Sequence, residues 1–313
     1  MNHSIDIISI GECMIELSTK KSISYAEIFH KHYGGDTINT TITAARLGSK
    51  VGYITKIGND YFKDFLLESW QSENIDINYV KLVDGHNGLY FISKQEDGER
   101  QFACYRKKTA ATTLSIDDIP EEYIKRAGIV YSTGITQSLS ESAYNCVKKA
   151  FSLARENGVM TAYDPNYRAI LWSISEAKEA MEDVIEYVDM LFLNDIQDAN
   201  AIYGISSPDK IIKHFWDMGI PTVIVKQGEK GSTIGYNGEV IHIPACINTI
   251  VDTTGAGDTY NGGFLHGISE GYTPFEAAKL ACIVSGKQIE GLGSVKSIPY
   301  KDQVYSEFKK GDS

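Results

Sequence analysis

The chain has 313 residues, 42% of them hydrophobic, and a formal net charge of −11. That length allows one large α/β domain with an accessory piece, or two domains. The acidic balance without any basic run excludes a nucleic-acid footprint, and no apolar run reaches the roughly 20 residues of a membrane helix. The N-terminus, MNHSIDIISIGE, lacks the basic stretch and long apolar run of a signal peptide. Five scattered cysteines (Cys13, Cys104, Cys146, Cys246 and Cys282) form no C-x-x-C pair, so free thiols in a reducing cytoplasm are expected.

Along the chain, short apolar runs alternate with amphipathic stretches, the rhythm of a parallel sheet covered by helices. Ile5–Ile10 reads as a first buried strand, and Ser18–His32 as extended chain without helical periodicity. Asn39–Leu47 reads as a helix closed by Gly48, and Val51–Ile57 as the next strand. Gly88–Lys94 and Arg100–Lys107 break the rhythm, because QEDGE joins them as a hairpin with no helix between. These extended pieces predict a small β-sheet lid, about 12–33 and 86–113, inserted in the α/β core of one domain over 1–313.

Further on, Ile129–Thr133, Met160–Asp164, Met190–Leu193 and Thr222–Lys226 read as buried strands, with helices over Glu141–Asn157 and Glu176–Val188. GSTIGYNGEVIHIP reads as a hairpin turning at Asn237-Gly238. Asp258–Glu270 and Pro274–Ile289 close the chain as two helices. There are no internal repeats or low-complexity tracts.

The familiar catalytic motifs are absent. There is no G-x-x-x-x-G-K-[ST], no G-x-G-x-x-G after the first strand, no H-E-x-x-H and no G-x-S-x-G. VDTTGAGDTYNGGF, Val251–Phe264, remains. A Gly-Ala-Gly turn opening a helix directs free amides at an anion, and a carboxylate beside it can take a proton from an attacking hydroxyl. That pairing suits phosphoryl transfer to an alcohol. Taken alone, the same four residues also suit a helix cap.

DTTGAGD resembles the C-terminal signature of the ribokinase-type (PfkB) carbohydrate kinases. GGDTINTTITAARLGSKVGYITKIG resembles their N-terminal signature, through Gly34, Gly35, Asn39, Gly48 and Gly58. KQGEKG, with Lys226, Gly228 and Gly231, resembles the segment that passes over the nucleotide phosphates. Within the family, IGECMIEL, GLYFI, RQFACYR and DPNYRAILW are most similar to 2-keto-3-deoxygluconate kinases.

The resemblance implies a ribokinase-like three-layer αβα sandwich with a mostly parallel central sheet, ATP and Mg²⁺ as cosubstrate and cofactor, and a sugar-acid acceptor. Asp258 is then the catalytic base, with Gly255, Ala256 and Gly257 as the anion hole. Gly34, Gly35, Asn39, Tyr90, Arg106 and Arg168 fall to the sugar; Asn166, Asn194, Lys226, Gly228 and Gly231 fall to ATP. Tyr90 equally suits packing within the lid, and Arg168 a surface ion pair. Asp252 and Thr254 match positions of a monovalent-cation site, for K⁺, or else Asp252 caps the turn. A homodimer through the lid is also implied.

Three positions depart from the pattern, one of them Cys282, which stands in the adenine-pocket helix where many relatives have Asn. The family's N-x-x-E reads Asn194-Asp195-Ile196-Gln197, so Asp195 or Asp198 substitutes for the glutamate, or the nucleotide phosphates hold the metal. Cys104 stands where the keto-deoxygluconate kinases have a tyrosine. Fructokinase, ribokinase, nucleoside kinase and 2-ketogluconate kinase activities remain alternatives, as does an idle sugar-binding protein.

Overall fold

The computed structural model describes residues 3–94 and 100–308, so the expected QEDGE turn at 95–99 lies outside the described residues. The strands are β1 (Ile5–Ile10), β2 (Met14–Thr19), β3 (His30–Gly34), β4 (Val51–Gly58), β5 (Val80–Val83), β6 (Gly88–Lys94) and β7 (Arg100–Tyr105). They continue with β8 (Ala127–Thr133), β9 (Met160–Asp164), β10 (Met190–Asn194), β11 (Thr222–Lys226), β12 (Ser232–Tyr236) and β13 (Glu239–Ile243).

Nine of them form the central sheet, in the order β13-β12-β11-β10-β9-β8-β1-β4-β5. Every pairing from β11 to β5 is parallel, and the β12–β13 hairpin closes the other edge antiparallel. Asn237 and Gly238 turn that hairpin with φ of 51° and 80°, the left-handed pair a tight two-residue turn requires.

Alternation along each strand sends neighbours to opposite faces, and both faces are covered. Ile8, Val130, Leu191 and Val223 pack with the Glu141–Glu156 and Pro208–Asp217 helices. Ile7, Ile129, Phe192 and Ile224 pack with the Asp36–Leu47, Ala256–Ser269 and Pro274–Gln288 helices. The result is a three-layer αβα sandwich.

The other four strands make a small sheet, in the order β3-β2-β6-β7. β2 pairs antiparallel with β3 and parallel with β6, and β6 pairs antiparallel with β7. The run expected at Arg100–Lys107 ends at Tyr105, placing Arg106 just past the strand.

Several boundaries differ from the sequence reading. The first helix starts at Asp36, not Asn39, because Asp36 Oδ1 accepts the Thr37 amide and stabilises the first turn. Gly48 closes it at φ 113°. The stretch Glu176–Val188 is a shorter helix, Ile174–Glu182, opened by a Ser173/Glu176 capping box. It gives way to a 3₁₀ turn at Ile185–Tyr187, which lets Val184 and Val188 both reach the core. The helices Lys63–Ser72 and Pro208–Asp217 and strand β5 had no counterpart in that reading.

The parallel strands share one carboxyl edge, and β9, β10 and β11 end there at Asp164, Asn194 and Lys226. Loops at such an edge are where open α/β sheets bind ligands. Among the described residues no helix is long and apolar enough to cross a membrane.

Candidate active site

The Ala256–Ser269 helix points its N-terminus at this edge. Gly255 precedes it at φ 81°, a left-handed conformation that favours glycine. The Ala256 amide is taken by the Thr253 carbonyl at 3.2 Å, so of the three expected anion-hole donors this one is engaged within the turn. The Gly255 and Gly257 amides have no protein partner among the described residues. A side chain on Gly257 would meet only Lys226 Nζ, at 3.5 Å, whereas one on Gly255 would press on Ser294 Cβ at 2.9 Å.

Asp258 sits in the first turn, half-buried, and its side chain caps nothing. Its Oδ2 accepts from Asn39 Nδ2 at 2.9 Å, and its carbonyl accepts from Thr40 Oγ1 at 3.1 Å. The two glycine-led signatures therefore meet, each at the start of its own helix. Burial, with Asp36 nearby, pushes the Asp258 carboxyl up to about 7 against the opposing pull of Asn39 and Lys226.

Beneath lies a polar network. Lys226 Nζ donates to Asp164 Oδ2 at 2.6 Å and to Asn261 Oδ1 at 3.2 Å. Asn261 Nδ2 also reaches Asp164, at 2.7 Å. Asn166, at φ 42°, donates its amide to Asp164 Oδ1 and its side chain to Asp36 Oδ2 at 3.3 Å. Burial raises the Asp36 carboxyl, and Asp164 adds to the shift. Sequence reasoning assigned no role to Asp36, Asp164 or Asn261. The available signals were an acid between Gly35 and Thr37, and an acid ending a strand directly before Pro165.

The small sheet borders the same region. A side chain on Gly34 would lie 2.7 Å from the Tyr90 hydroxyl and 3.6 Å from Asn39 Oδ1; one on Gly35 would strike the Glu12 carbonyl. Tyr90 is buried and donates to Glu16, its register partner on β2. Across β7, Cys104 opposes Tyr90 and directs its thiol to Met14 Sδ, 3.8 Å away. Arg106 forms an ion pair with Glu12. Exposed Arg168 donates from Nη1 to the Tyr167 carbonyl at 3.0 Å and to Gln197 Oε1 at 3.2 Å. Burial, and then the neighbouring Arg168, pull the Arg106 guanidinium down to about 10.

On the other side of Asp258 opens a cavity of about 790 Å³. Asn166, Arg168, Asn194, Lys226, Gly228 and Gly231 line it together with the Gly255–Asp258 turn. Gly34, Gly35, Asn39, Tyr90 and Arg106 stay outside it, joined to it through the Asn39–Asp258 hydrogen bond. Gly231, at φ 98°, has no room for a side chain: a Cβ would fall 2.1 Å from the Ile243 carbonyl.

Asn194 Oδ1 accepts the Ile196 and Gln197 amides at 3.0 and 2.8 Å, opening the next turn. Asp198 receives the Tyr167 and Asn194 amides at 2.8 and 2.6 Å, one on each oxygen, while burial raises it to about 6. Asp252 Oδ1 takes the amide and hydroxyl of Thr254 at 3.0 and 2.7 Å, and Oδ2 takes the Gly293 amide at 3.0 Å. Among the described residues no group of three or more His, Cys, Asp or Glu is placed to hold a metal.

Comparison with known proteins decides what this arrangement is part of. The pattern described as pfkB family carbohydrate kinase matches residues 4–301. The chain belongs to that family. This kinase is similar to the 2-dehydro-3-deoxygluconokinase of Thermoproteus tenax, at 30% identity over 94% of this chain and 91% of the relative. It is also similar, at 28% identity over 96% and 93%, to the ATP-dependent 6-phosphofructokinase of Thermoanaerobacterium thermosaccharolyticum. Among solved structures, a putative ribokinase II from E. coli in complex with ATP and Mg²⁺ superposes with a TM-score of 0.90. It is 24% identical and covers 98% of this chain and 99% of that one. The fold of the kinase is therefore ribokinase-like, and its activity is that of an ATP-dependent carbohydrate kinase.

Proposed function

We propose that this kinase transfers the γ-phosphoryl group of ATP to the terminal hydroxyl of 2-keto-3-deoxygluconate. What supports the sugar-acid reading is a pair of arginines bordering the site, Arg106 just past the small sheet beside Glu12 and Arg168 in the loop after β9. Burial, and then Arg168 as the charged neighbour, lowers the proton affinity of Arg106. Two guanidiniums, Arg106 largely buried and Arg168 exposed, suit a carboxylate, which a planar fork can bind bidentately. The name of the Thermoproteus tenax relative supports the same substrate.

In this reading ATP lies along the 790 Å³ cavity, between the Lys226–Gly231 segment and the last two long helices. Asn166, Asn194 and Lys226 face its phosphates, and Mg²⁺ arrives on them. The Gly255 and Gly257 amides meet the transferred group. Gly34, Gly35, Asn39 and Tyr90 hold the sugar beneath the small sheet, which acts as a lid. Asn39 presents Asp258 to the acceptor hydroxyl, and Asp258 takes its proton as the phosphoryl group arrives. Asp198, with a backbone amide on each oxygen, would lend Mg²⁺ the negative charge that Gln197 cannot supply.

Asp252 and Thr254 are assigned to a K⁺ site beside the anion hole, read by comparing rates in K⁺ and tetramethylammonium. The lid sheet, which leaves Phe102 and Tyr105 62% exposed, is assigned a homodimer contact, read by light scattering.

A second reading is favoured by the phosphofructokinase relative, because an arginine pair also suits a sugar phosphate. Steady-state kcat/KM on 2-keto-3-deoxygluconate, 2-ketogluconate, fructose, ribose and fructose 6-phosphate separates the readings. A best rate on the first supports the proposal, and a best rate on any of the others, fructose 6-phosphate included, overturns it.

A further inference from the structure

We propose that Glu12 is a specificity-determining residue: it cancels one of the two guanidinium charges in the acceptor pocket, and so selects a singly charged sugar acid over a doubly charged sugar phosphate. The inference rests on the sugar-acid reading above. Glu12 lies in the link between β1 and β2, where the chain passes from the central sheet to the small one, and is 1% exposed. Arg106, just past the last strand of the small sheet, is its ion-pair partner. Arg106 Nη2 sits against Glu12 Oε1, while among the described residues Glu12 Oε2 has no hydrogen-bond donor and Arg106 Nε no acceptor.

A buried ion pair this sparsely hydrogen-bonded is a poor source of stability, since desolvation offsets its attraction. Its consequence for a ligand is larger. Arg168 is the charged neighbour that acts on Arg106, and its hydrogen-bond partners among the described residues are neutral, the Tyr167 carbonyl and Gln197 Oε1. One guanidinium charge is answered by Glu12, and the other is left for the acceptor. A carboxylate matches that remainder. A phosphate monoester, near −2 above pH 7, brings a second charge that Glu12 opposes. Both acceptor types carry their anion at the end opposite the reacting hydroxyl, so the same wall reads either one.

The test is Glu12→Gln, assayed at pH 8 with 2-keto-3-deoxygluconate, fructose 6-phosphate and fructose. By Coulomb's law the freed charge favours a dianion about twice as strongly as a monoanion, and a neutral sugar not at all. The kcat/KM ratio of fructose 6-phosphate to the acid is expected to rise at least about tenfold over wild type, with KM carrying the change. Glu12→Asp, which keeps the charge, should leave that ratio within about threefold. Glu12→Ser gives the same reading as Gln if the Gln variant is insoluble.

Parallel loss on all three substrates, with the ratio unmoved, would mean that Glu12 only supports the fold and would overturn the assignment. A shift with Asp as large as with Gln would overturn it too, because shape rather than charge would then be responsible. An unmoved ratio in an enzyme whose wild type prefers the acid sinks only the Glu12 assignment. A wild type that prefers fructose sinks the sugar-acid reading itself.

Discussion

Asp258 carries one side-chain hydrogen bond, from Asn39, and a carboxyl that burial holds near 7. A base must be ionised to accept a proton, so kcat/KM should rise with pH along a limb centred near 7. A pH–rate profile with no inflection between pH 6 and 8 would argue against this assignment. Asp258→Asn should lower kcat by about 10²–10⁴-fold while leaving sugar and ATP affinity nearly unchanged, as read by steady-state rates and calorimetric titration.

The same shift has a consequence for stability. With its pKa above the unfolded value, folded Asp258 keeps a proton that the unfolded chain gives up as pH rises from about 4 to 7, so stability falls across that window. Asp258→Asn removes the effect and should melt about 1–3 °C higher than wild type at pH 8, by scanning calorimetry. At the acceptor end, Arg106→Ala and Arg168→Ala should each raise KM for the sugar acid by tens-fold or more, in line with the loss of one partner of a desolvated charge pair. KM for ATP should move little. If both variants keep the wild-type KM for the acid, the arginines do not bind its carboxylate.

Among the elements, the Ala256–Ser269 helix offers the cleanest probe, because Gly257 has space before it and Gly255 does not. Gly257→Val should fold, put its branched side chain beside Lys226, and lose at least about 10²-fold in rate, the scale of one missing oxyanion donor. A folded, fully active Gly257→Val enzyme would remove this turn from the reaction. Element by element, the parallel strands were legible because both of their faces are covered, which leaves continuous apolar runs. Met160–Asp164 and Thr222–Lys226 emerge with the bounds read from sequence. The Pro208–Asp217 helix was missed although Pro stands at its first position, a usual start signal. The late end of Glu176–Val188 was misread because apolar spacing alone does not distinguish a helix from a 3₁₀ turn serving the same core.

Across the whole molecule, the glycine turns of the site are written in contiguous motifs and could be read directly. The network under them could not. Asp164 meets Lys226 across 62 residues and Asn261 across 97, and only the parallel sheet brings the three together. The Glu12–Arg106 pair depends likewise on the small sheet folding back beside the central one. In the proposed reading substrate choice belongs to the assembled molecule: the loop after β9 places Arg168, the Ala256–Ser269 helix places Asp258, and the small sheet and its exit place Tyr90 and Arg106. The measurement that tests this most directly is wild-type kcat/KM, with ATP and Mg²⁺, on 2-keto-3-deoxygluconate beside fructose and ribose. The predicted result is a preference for the acid of about 30-fold or more, the lower end for one buried charge pair. A neutral sugar turned over as well as the acid, or better, would contradict it.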